Sequence, residues 1–159
     1  MSPVIIEPTA HYARFSVKRK TYRYLFYVSK FVHPIFDEYA TRINDYADVS
    51  LMQEACKYLI GPFDFKSFVS KKTDKTNFVR TIFDAKIVEI DSGVFAFEIT
   101  GNGFLYNMVR IIFGTLVKVG YKKIEPSEIM NIINVQDRSL AGKTMPSKAL
   151  FLKNVDYID

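Results

Sequence analysis

The amino-acid sequence predicts an α+β fold, in which helices pack on a mixed, mostly antiparallel sheet. Strand-like and helix-like segments follow one another in the order β-α-β-β-α-α-β, and this mixture of hairpins and helices is typical of the class. The chain has 159 residues, of which 48% are hydrophobic and 25% charged, as in ordinary globular domains. No internal repeat or linker-like stretch divides it, so we expect one domain over residues 1–159.

Aromatic and β-branched residues mark the strands. Residues 21–29 are rich in both and predict the first strand. Residues 79–90 and 94–100 flank an Asp-Ser-Gly turn, which predicts an antiparallel hairpin. Residues 149–158 have strand character, whereas the stretch from 34 to 43 is expected to be irregular.

Apolar residues at helical spacing predict three helices. Asp48 is a good N-cap for a helix over residues 49–60, which a Gly-Pro pair ends. Residues 104–119 are apolar over a helical length and stop before Gly120, a residue type that favours helix C-termini. A proline suits the first turn of a third helix over residues 127–134.

The helix over residues 104–119 carries the strongest functional signal. Its polar or small positions are Asn107, Arg110, Gly114 and Lys118, whose spacing places them on one face. That face is either the solvated side of an amphipathic helix or the side from which Arg110 enters a cleft. A buried arginine would need a carboxylate or a phosphate as its partner, because an unpaired buried charge is costly.

Basic residues interleave with aromatic ones around the first strand, where Tyr22 and Tyr24 share one face. The basic residues are Arg14, Lys18, Arg19, Lys20 and Arg23. Such a cluster can bind RNA, because cations contact phosphates and aromatic rings stack on unpaired bases. The alternative is a solvated sheet edge whose lysines prevent pairing with other chains.

A second basic stretch lies in and around the polar loop at residues 70–77. Its members are Lys66, Lys71, Lys72, Lys75 and Arg80. They are RNA-binding candidates as well, although such a run is also typical of solvated surface. Gly101 and Gly103, which precede the long helix, either cradle an anion at its N-terminus or let the chain turn.

The composition excludes several kinds of site. Cys56 is the single cysteine and lies in an apolar helical pattern, so we expect a buried thiol and no disulfide framework. His11 and His33 are the only histidines, and we predict no metal site. No apolar run is long enough to span a membrane, and the N-terminus does not resemble a signal peptide, so a reducing compartment, the cytoplasm, is expected. The net charge of +5 suits an anionic partner.

Four segments of the chain together resemble one family. They are residues 11–16 (His-Tyr-Ala-Arg-Phe-Ser) with 22–24 (Tyr-Arg-Tyr), residues 63–68 (Phe-Asp-Phe-Lys-Ser-Phe) with 80–82 (Arg-Thr-Ile), residues 101–116 (Gly-Asn-Gly-Phe-Leu-Tyr-Asn-Met-Val-Arg-Ile-Ile-Phe-Gly-Thr-Leu), and residues 138–152, which include Leu-Ala-Gly and Pro146. Each segment alone is weak evidence. In this order and at these spacings they are similar to the tRNA pseudouridine synthases of the TruA type.

The resemblance implies a fold, a reaction and two site residues. The fold would be about half of the two-lobed synthase core. The family converts uridines of the tRNA anticodon arm to pseudouridine by breaking the N-glycosidic bond and rejoining the base through carbon, with no metal or organic cofactor. By this resemblance, Tyr22 matches the tyrosine that stacks on the target base. Arg110 matches the basic residue that pairs with the catalytic aspartate.

The chain departs from the family pattern at the catalytic aspartate itself. That aspartate lies in an Arg-Thr-Asp-x-Gly motif, and none of the aspartates of this chain has that context; the Lys-Thr-Asp-Lys around Asp74 lacks the glycine. We therefore expect the C-terminal, RNA-binding half of such an enzyme, inactive alone. Its expected partners are the N-terminal catalytic half and the tRNA anticodon stem-loop, and a homodimer is left open.

Two other functions fit the same residues. One is a non-catalytic RNA-binding module of the same fold, and the other is a domain of unrelated chemistry whose basic face binds other anions. An activity assay of the chain, alone and with the N-terminal half, distinguishes the synthase from the module.

Overall fold

The computed structural model describes residues 17–70 and 76–157, and it has an α+β fold, as the sequence predicts. The strands are β1 (Val17–Val28), β2 (Thr41–Ile43), β3 (Gly61–Asp64), β4 (Val79–Asp91), β5 (Val94–Gly101) and β6 (Leu150–Tyr157). The helices are α1 (Val49–Cys56), α2 (Met108–Gly120) and α3 (Glu128–Val135).

The six strands form one mixed, mostly antiparallel sheet. Its order is β2-β1-β5-β4-β3, and β6 pairs with β1 as well. Tyr24 pairs with Phe97 of β5 on one side and with Leu150 of β6 on the other, so β6 lies on the edge of β1 opposite β5. Phe26, two residues on, pairs with β5 and with β2, which therefore shares that edge with β6. The β1–β2 pair is the parallel one among the described strands.

The four predicted strands are confirmed. β1 covers the predicted segment and begins earlier, and β6 matches its prediction within one residue. β4 and β5 form the predicted antiparallel hairpin. Gly93 lies in its turn with a φ of 75°, a backbone conformation that favours glycine.

β2 and β3 are strands that the sequence analysis missed. β2 lies in the stretch expected to be irregular, and β3 begins with the Gly-Pro pair that ends the predicted first helix. Both are only three or four residues long, so neither has room for a recognisable alternation. Their pairing with β1 and β4 comes from the tertiary fold.

The first and third helices form close to where they were predicted. The Asp48 side chain accepts a hydrogen bond from the backbone N–H of Leu51, which confirms the N-cap. α1 ends at Cys56 and continues as a 3-10 turn, earlier than the prediction of residue 60. α3 lies one residue later than the predicted range.

The long helix α2 begins at Met108, four residues after the predicted start at Phe104. Asn107 precedes it with a φ of 62°, in the left-handed region, so the chain turns sharply before the helix. Gly101 and Gly103 therefore lie several residues before the helix begins, and the anion cradle suggested for them is wrong. Asn102 lies between the two glycines and exchanges two hydrogen bonds with Thr81 of β4. The Asn102 N–H donates to the Thr81 carbonyl at 3.0 Å, and the Thr81 N–H donates to Asn102 Oδ1 at 2.9 Å. These bonds close the end of the hairpin.

The sheet has a helix face and an outer face. Alternation along β1 points Tyr22, Tyr24 and Phe26 to the helix face, where the three helices bury the main hydrophobic core. Phe113 of α2 is fully buried there against three aromatic rings, and burying a phenylalanine this completely is worth about 3–5 kcal/mol relative to alanine. The outer face carries Arg23 and a smaller apolar cluster around Leu25.

Candidate active site

The candidate site is a cleft of about 330 Å³ on the helix face, between the start of α2 and strands β1 and β6. Its lining includes Tyr22, the residues 104–110, Ser147 and Leu150. The two residues that the sequence analysis selected for substrate binding and catalysis, Tyr22 and Arg110, therefore lie in one cavity. They are 88 positions apart in the chain, and the packing of α2 on β1 brings them together.

Tyr22 and Tyr24 share the helix face, as predicted, but the structure separates their roles. Tyr24 is fully buried, stacks on Phe113 with ring centroids 4.5 Å apart, and donates its hydroxyl to the Pro146 carbonyl at 2.7 Å. Burial raises the pKa of Tyr24 to about 12, so the hydroxyl stays protonated. Tyr22 is only half-buried and meets Phe104 edge-on at 5.2 Å. Tyr24 is a core residue, whereas Tyr22 presents its ring to the cleft.

Arg110 is half-buried at the start of α2, and neutral groups hold its guanidinium. Its Nε donates to the Met145 carbonyl at 2.7 Å, and its Nη1 donates to Asn107 Oδ1 at 2.9 Å. None of the ion pairs in the described part of the chain involves Arg110. Its Nη2 has no hydrogen-bond partner among those residues either, so the Nη1–Nη2 edge can still donate to a carboxylate or a phosphate.

The rest of the polar face of α2 is covered by another segment of the chain. The segment 138–146 lies along it, and the Lys118 ammonium donates to the Leu140 carbonyl at 3.1 Å. Glycines make this contact possible, since a Cβ at Gly114 would lie 2.0 Å from the Lys143 carbonyl oxygen and a Cβ at Gly142 would lie 2.3 Å from the Gly114 backbone. The amphipathic-surface interpretation of this face is therefore wrong.

The same segment holds Arg110 in place, which the sequence analysis did not anticipate. Thr115 Oγ1 accepts the Gly142 N–H at 2.8 Å, and the Met145 N–H donates to the Arg110 carbonyl at 3.3 Å. Met145 is thus bonded to both the backbone and the side chain of Arg110. The sequence signal for this contact is the glycine inside an otherwise apolar helix, which marks close approach of another backbone.

The predicted basic cluster on β1 divides between the two faces of the sheet. Lys20 shares the helix face with Tyr22, whereas Arg19 and Arg23 point to the outer face. Arg19 is exposed, and its Cζ lies 4.4 Å from the centroid of the Phe83 ring. Arg23 bonds Glu98 at 2.8 Å and is already paired. Arg14, Lys71, Lys72 and the side chain of Lys18 lie outside the described part, and the RNA-binding roles of all these residues stay predictions.

A larger hollow of about 520 Å³ lies beside Arg138 and Lys143. Arg138 donates to the Gly142 carbonyl at 2.8 Å within its own loop, and desolvation on burial lowers its pKa from the ordinary value. Among the described residues, no aromatic side chain lines this hollow. The cleft at Arg110 is the better candidate because it combines a cation with a ring that can stack on a base.

Neither a metal site nor a membrane span is found in the described residues. No group of three or more His, Cys, Asp or Glu side chains there could hold a metal ion. Cys56 is buried, as predicted, and burial raises the pKa of its thiol to about 12. None of the helices within residues 17–70 and 76–157 is long and apolar enough to cross a membrane.

The chain is similar in sequence to known proteins over most of its length. Residues 55–158 match the family model described as tRNA pseudouridine synthase. The chain is 43% identical over 145 residues to tRNA pseudouridine synthase A of Caldicellulosiruptor saccharolyticus, and 44% identical over 146 residues to the protein of that name from Bacillus subtilis. These matches cover 91% and 92% of the chain.

The chain therefore belongs to the tRNA pseudouridine synthase family. Its similarity to tRNA pseudouridine synthase A extends to Anoxybacillus flavithermus, at 44% identity over 152 residues. In each case the chain spans only part of the relative, with 59% of the length covered in the first two proteins and 60% in the third.

Proposed function

We propose that this chain is the C-terminal, RNA-binding half of a synthase that converts uridine to pseudouridine in the anticodon arm of tRNA. An N-terminal half would supply the nucleophilic aspartate, which no segment of this chain contains in the family context. The coverage of 59% of the relatives' length leaves room for such a half. The reaction would take place in the cytoplasm, where a tRNA substrate is available.

The observation that carries the proposal is the state of Arg110. Within the described residues, the half-buried guanidinium is held by a carbonyl and an amide, and its Nη1–Nη2 edge faces no carboxylate. The planar guanidinium matches a carboxylate bidentately and in doing so favours the ionised form. An aspartate entering the cleft would therefore be oriented by Arg110 and kept deprotonated, as a nucleophile must be.

Tyr22 would hold the target base in this arrangement. Its ring is half-buried, is supported edge-on by Phe104, and lies in the same cleft as Arg110. Stacking of an unpaired base on such a ring is worth about 1–3 kcal/mol and does not depend on base identity. Lys20, on the same face of β1, would contact a neighbouring phosphate.

Complementation tests the proposal. The purified chain is assayed for pseudouridine on an unmodified tRNA, alone and mixed with the N-terminal half of the Bacillus subtilis relative. We expect no product from the chain alone, because the nucleophilic carboxylate is absent, and product from the mixture. A control N-terminal half with its catalytic aspartate changed to asparagine should restore nothing.

Three results would count against the proposal. Turnover by the chain alone would mean that a carboxylate of this chain, such as Asp74, replaces the missing one. Binding of tRNA without turnover in any mixture, including the full-length protein, would favour a non-catalytic RNA-binding module. Equal binding of tRNA and unrelated polyanions would favour the third function, a basic face for other anions.

A further inference from the structure

Asn107 has an unusual backbone for its position. It is the residue before the first turn of α2, and its φ of 62° and ψ of 8° lie in the left-handed region. Outside glycine, asparagine and aspartate adopt this conformation most readily. An asparagine at a helix N-terminus ordinarily caps the helix by accepting a backbone N–H two or three residues later. The Asn107 side chain makes no such bond.

The Asn107 amide is turned to Arg110 instead. Its Oδ1 accepts a hydrogen bond from Arg110 Nη1 at 2.9 Å. Because arginine has only donors, this contact assigns the oxygen, rather than the nitrogen, of the amide to the guanidinium. The second anchor is the Met145 carbonyl on Nε at 2.7 Å. Two bonds on two nitrogens set both the position and the plane of the guanidinium.

We propose that Asn107 is a positioning residue for Arg110. Its left-handed backbone directs the amide away from the cap and against Nη1, so that the free edge of the guanidinium is aimed into the cleft. The inference rests on the proposed function, because that edge is the one that would meet the incoming aspartate. An amide is suited to this task, since an aspartate at position 107 would itself neutralise Arg110.

Two substitutions separate positioning from simple folding. Asn107→Asp keeps a residue that tolerates the left-handed backbone and keeps an acceptor for Nη1, but adds a competing carboxylate. In the full-length enzyme we expect kcat to fall at least tenfold, while the Tm stays equal or rises. Asn107→Gly keeps the backbone and removes the anchor, and we expect a lower kcat with an unchanged KM for tRNA.

The matched control is Lys122→Gly. Lys122 has nearly the same φ, 61°, but is exposed beyond the end of α2 and does not line the cleft. It should leave kcat unchanged. Wild-type kcat in Asn107→Asp would overturn the inference, as would activity losses that follow the loss of Tm across the Asn107 variants.

A direct readout needs only the chain itself. In ¹⁵N NMR spectra, anchored guanidinium groups show slow rotation and protected side-chain N–H signals. We expect Arg110 to give such signals in the wild type and in Lys122→Gly, and to lose them in Asn107→Gly. Unchanged Arg110 signals in Asn107→Gly would contradict the anchoring. An inactive wild-type full-length protein would overturn the proposed function, and this readout would still decide whether Asn107 orients Arg110.

Discussion

Two arginines on opposite faces of the sheet are held in different ways. Arg23, on the outer face, donates from Nε and Nη2 to one oxygen of Glu98 at 3.0 and 2.8 Å. Lys153 adds a further contact to the same carboxylate at 3.0 Å. Arg110, on the helix face, is held by a backbone carbonyl and an amide. Both side chains are partly buried, but only Arg23 has its charge balanced within the described chain.

The difference shows how a structural charge can be told from a functional one. The Glu98 side chain is only 6% exposed, so its two cations are required to compensate the desolvation of its carboxylate. The described partners of Arg110 do not need a positive charge, since a carbonyl and an amide oxygen could accept equally well from a neutral donor. A cation that the fold positions without a counterion is available for a ligand or for another part of the protein.

The largest expected effect comes from exchanging each arginine for alanine. In the full-length enzyme, Arg110→Ala should lower kcat/KM by at least ~10²-fold, as loss of a group that stabilises the reacting charge does. Arg23→Ala should leave the specific activity of folded protein near wild type but lower the free energy of unfolding by about 1–3 kcal/mol, because Glu98 loses a partner. Steady-state kinetics and urea unfolding measure the two effects. If Arg23→Ala lowered activity as much as Arg110→Ala, the two arginines would not differ as proposed.

Removal of the carboxylate is the next test. Glu98→Ala leaves Arg23 and Lys153 without their shared partner, and should lower the free energy of unfolding by about 1–3 kcal/mol in urea. The two cations are partly exposed and can be rehydrated, which keeps the loss below that of a fully buried pair. Asp84→Ala is the matched control, since its contact with Lys86 is 3.7 Å long and exposed, and we expect no measurable change.

The same pairing makes stability depend on pH. Burial raises the pKa of Glu98, but the hydrogen bonds from Arg23 and Lys153 outweigh it, and the pKa lies below its ordinary value. The stabilisation is therefore present above the pKa of the unfolded state, near ~4.3, and is lost as the pH falls through the lower pKa of the folded state. The difference in unfolding free energy between wild type and Glu98→Gln should shrink between about pH 5 and pH 3. A difference that stays constant in that range would mean that the pair does not shift the pKa.

The smallest expected effect concerns Tyr22 and Tyr24. Tyr24→Phe removes a buried hydroxyl with two hydrogen-bond contacts, to Thr41 and Pro146, and should cost about 1–2 kcal/mol. Tyr22→Phe removes a hydroxyl that has no hydrogen-bond partner in the described residues, and should change neither stability nor tRNA affinity. Tyr22→Ala should weaken both affinity and turnover if the ring stacks on the base.

Turnover of Tyr22→Phe then separates two roles of the ring. If Tyr22 only stacks, turnover stays near wild type. If its hydroxyl is also a general acid or base, turnover falls by ~10²–10⁴ with affinity unchanged. Wild-type affinity and turnover in a destabilised Tyr22→Ala would make Tyr22 a core residue and would remove it from the proposed site.

The elements that were predicted correctly are those with local signals. β1, the β4–β5 hairpin and the Asp48 cap each depend on residue types within a few positions of one another. The sequence also placed Arg110 and Tyr22 among the candidates, in part through the resemblance. Alternation alone could not distinguish Tyr22 from Tyr24, because it puts both on one face. The resemblance singled out Tyr22, and the packing of Phe113 on Tyr24 shows which ring is covered.

The start of α2 was predicted wrongly because apolar residues continue before the helix begins. Phe104 and Leu105 suit a helix, but the left-handed backbone at Asn107 separates them from it and turns them into the wall of the cleft. The polar face of α2 was misjudged for a similar reason. Gly114 looks like an interruption in the sequence, whereas in the structure it is the point at which a second backbone touches the helix.

The sequence by itself determined the fold class, the main strands and helices, the family and the residues most suited to the chemistry, since periodicity, caps, turns and motifs are local properties. The tertiary structure decided that Arg110 meets Met145 and Asn107 rather than a carboxylate of this chain, that Arg23 is already paired, and that Tyr22 faces the cleft. These outcomes depend on contacts between residues far apart in the chain, such as Arg23 and Glu98, which are 75 positions apart. Spacing along a chain does not specify such contacts, because they form only when helices and strands pack.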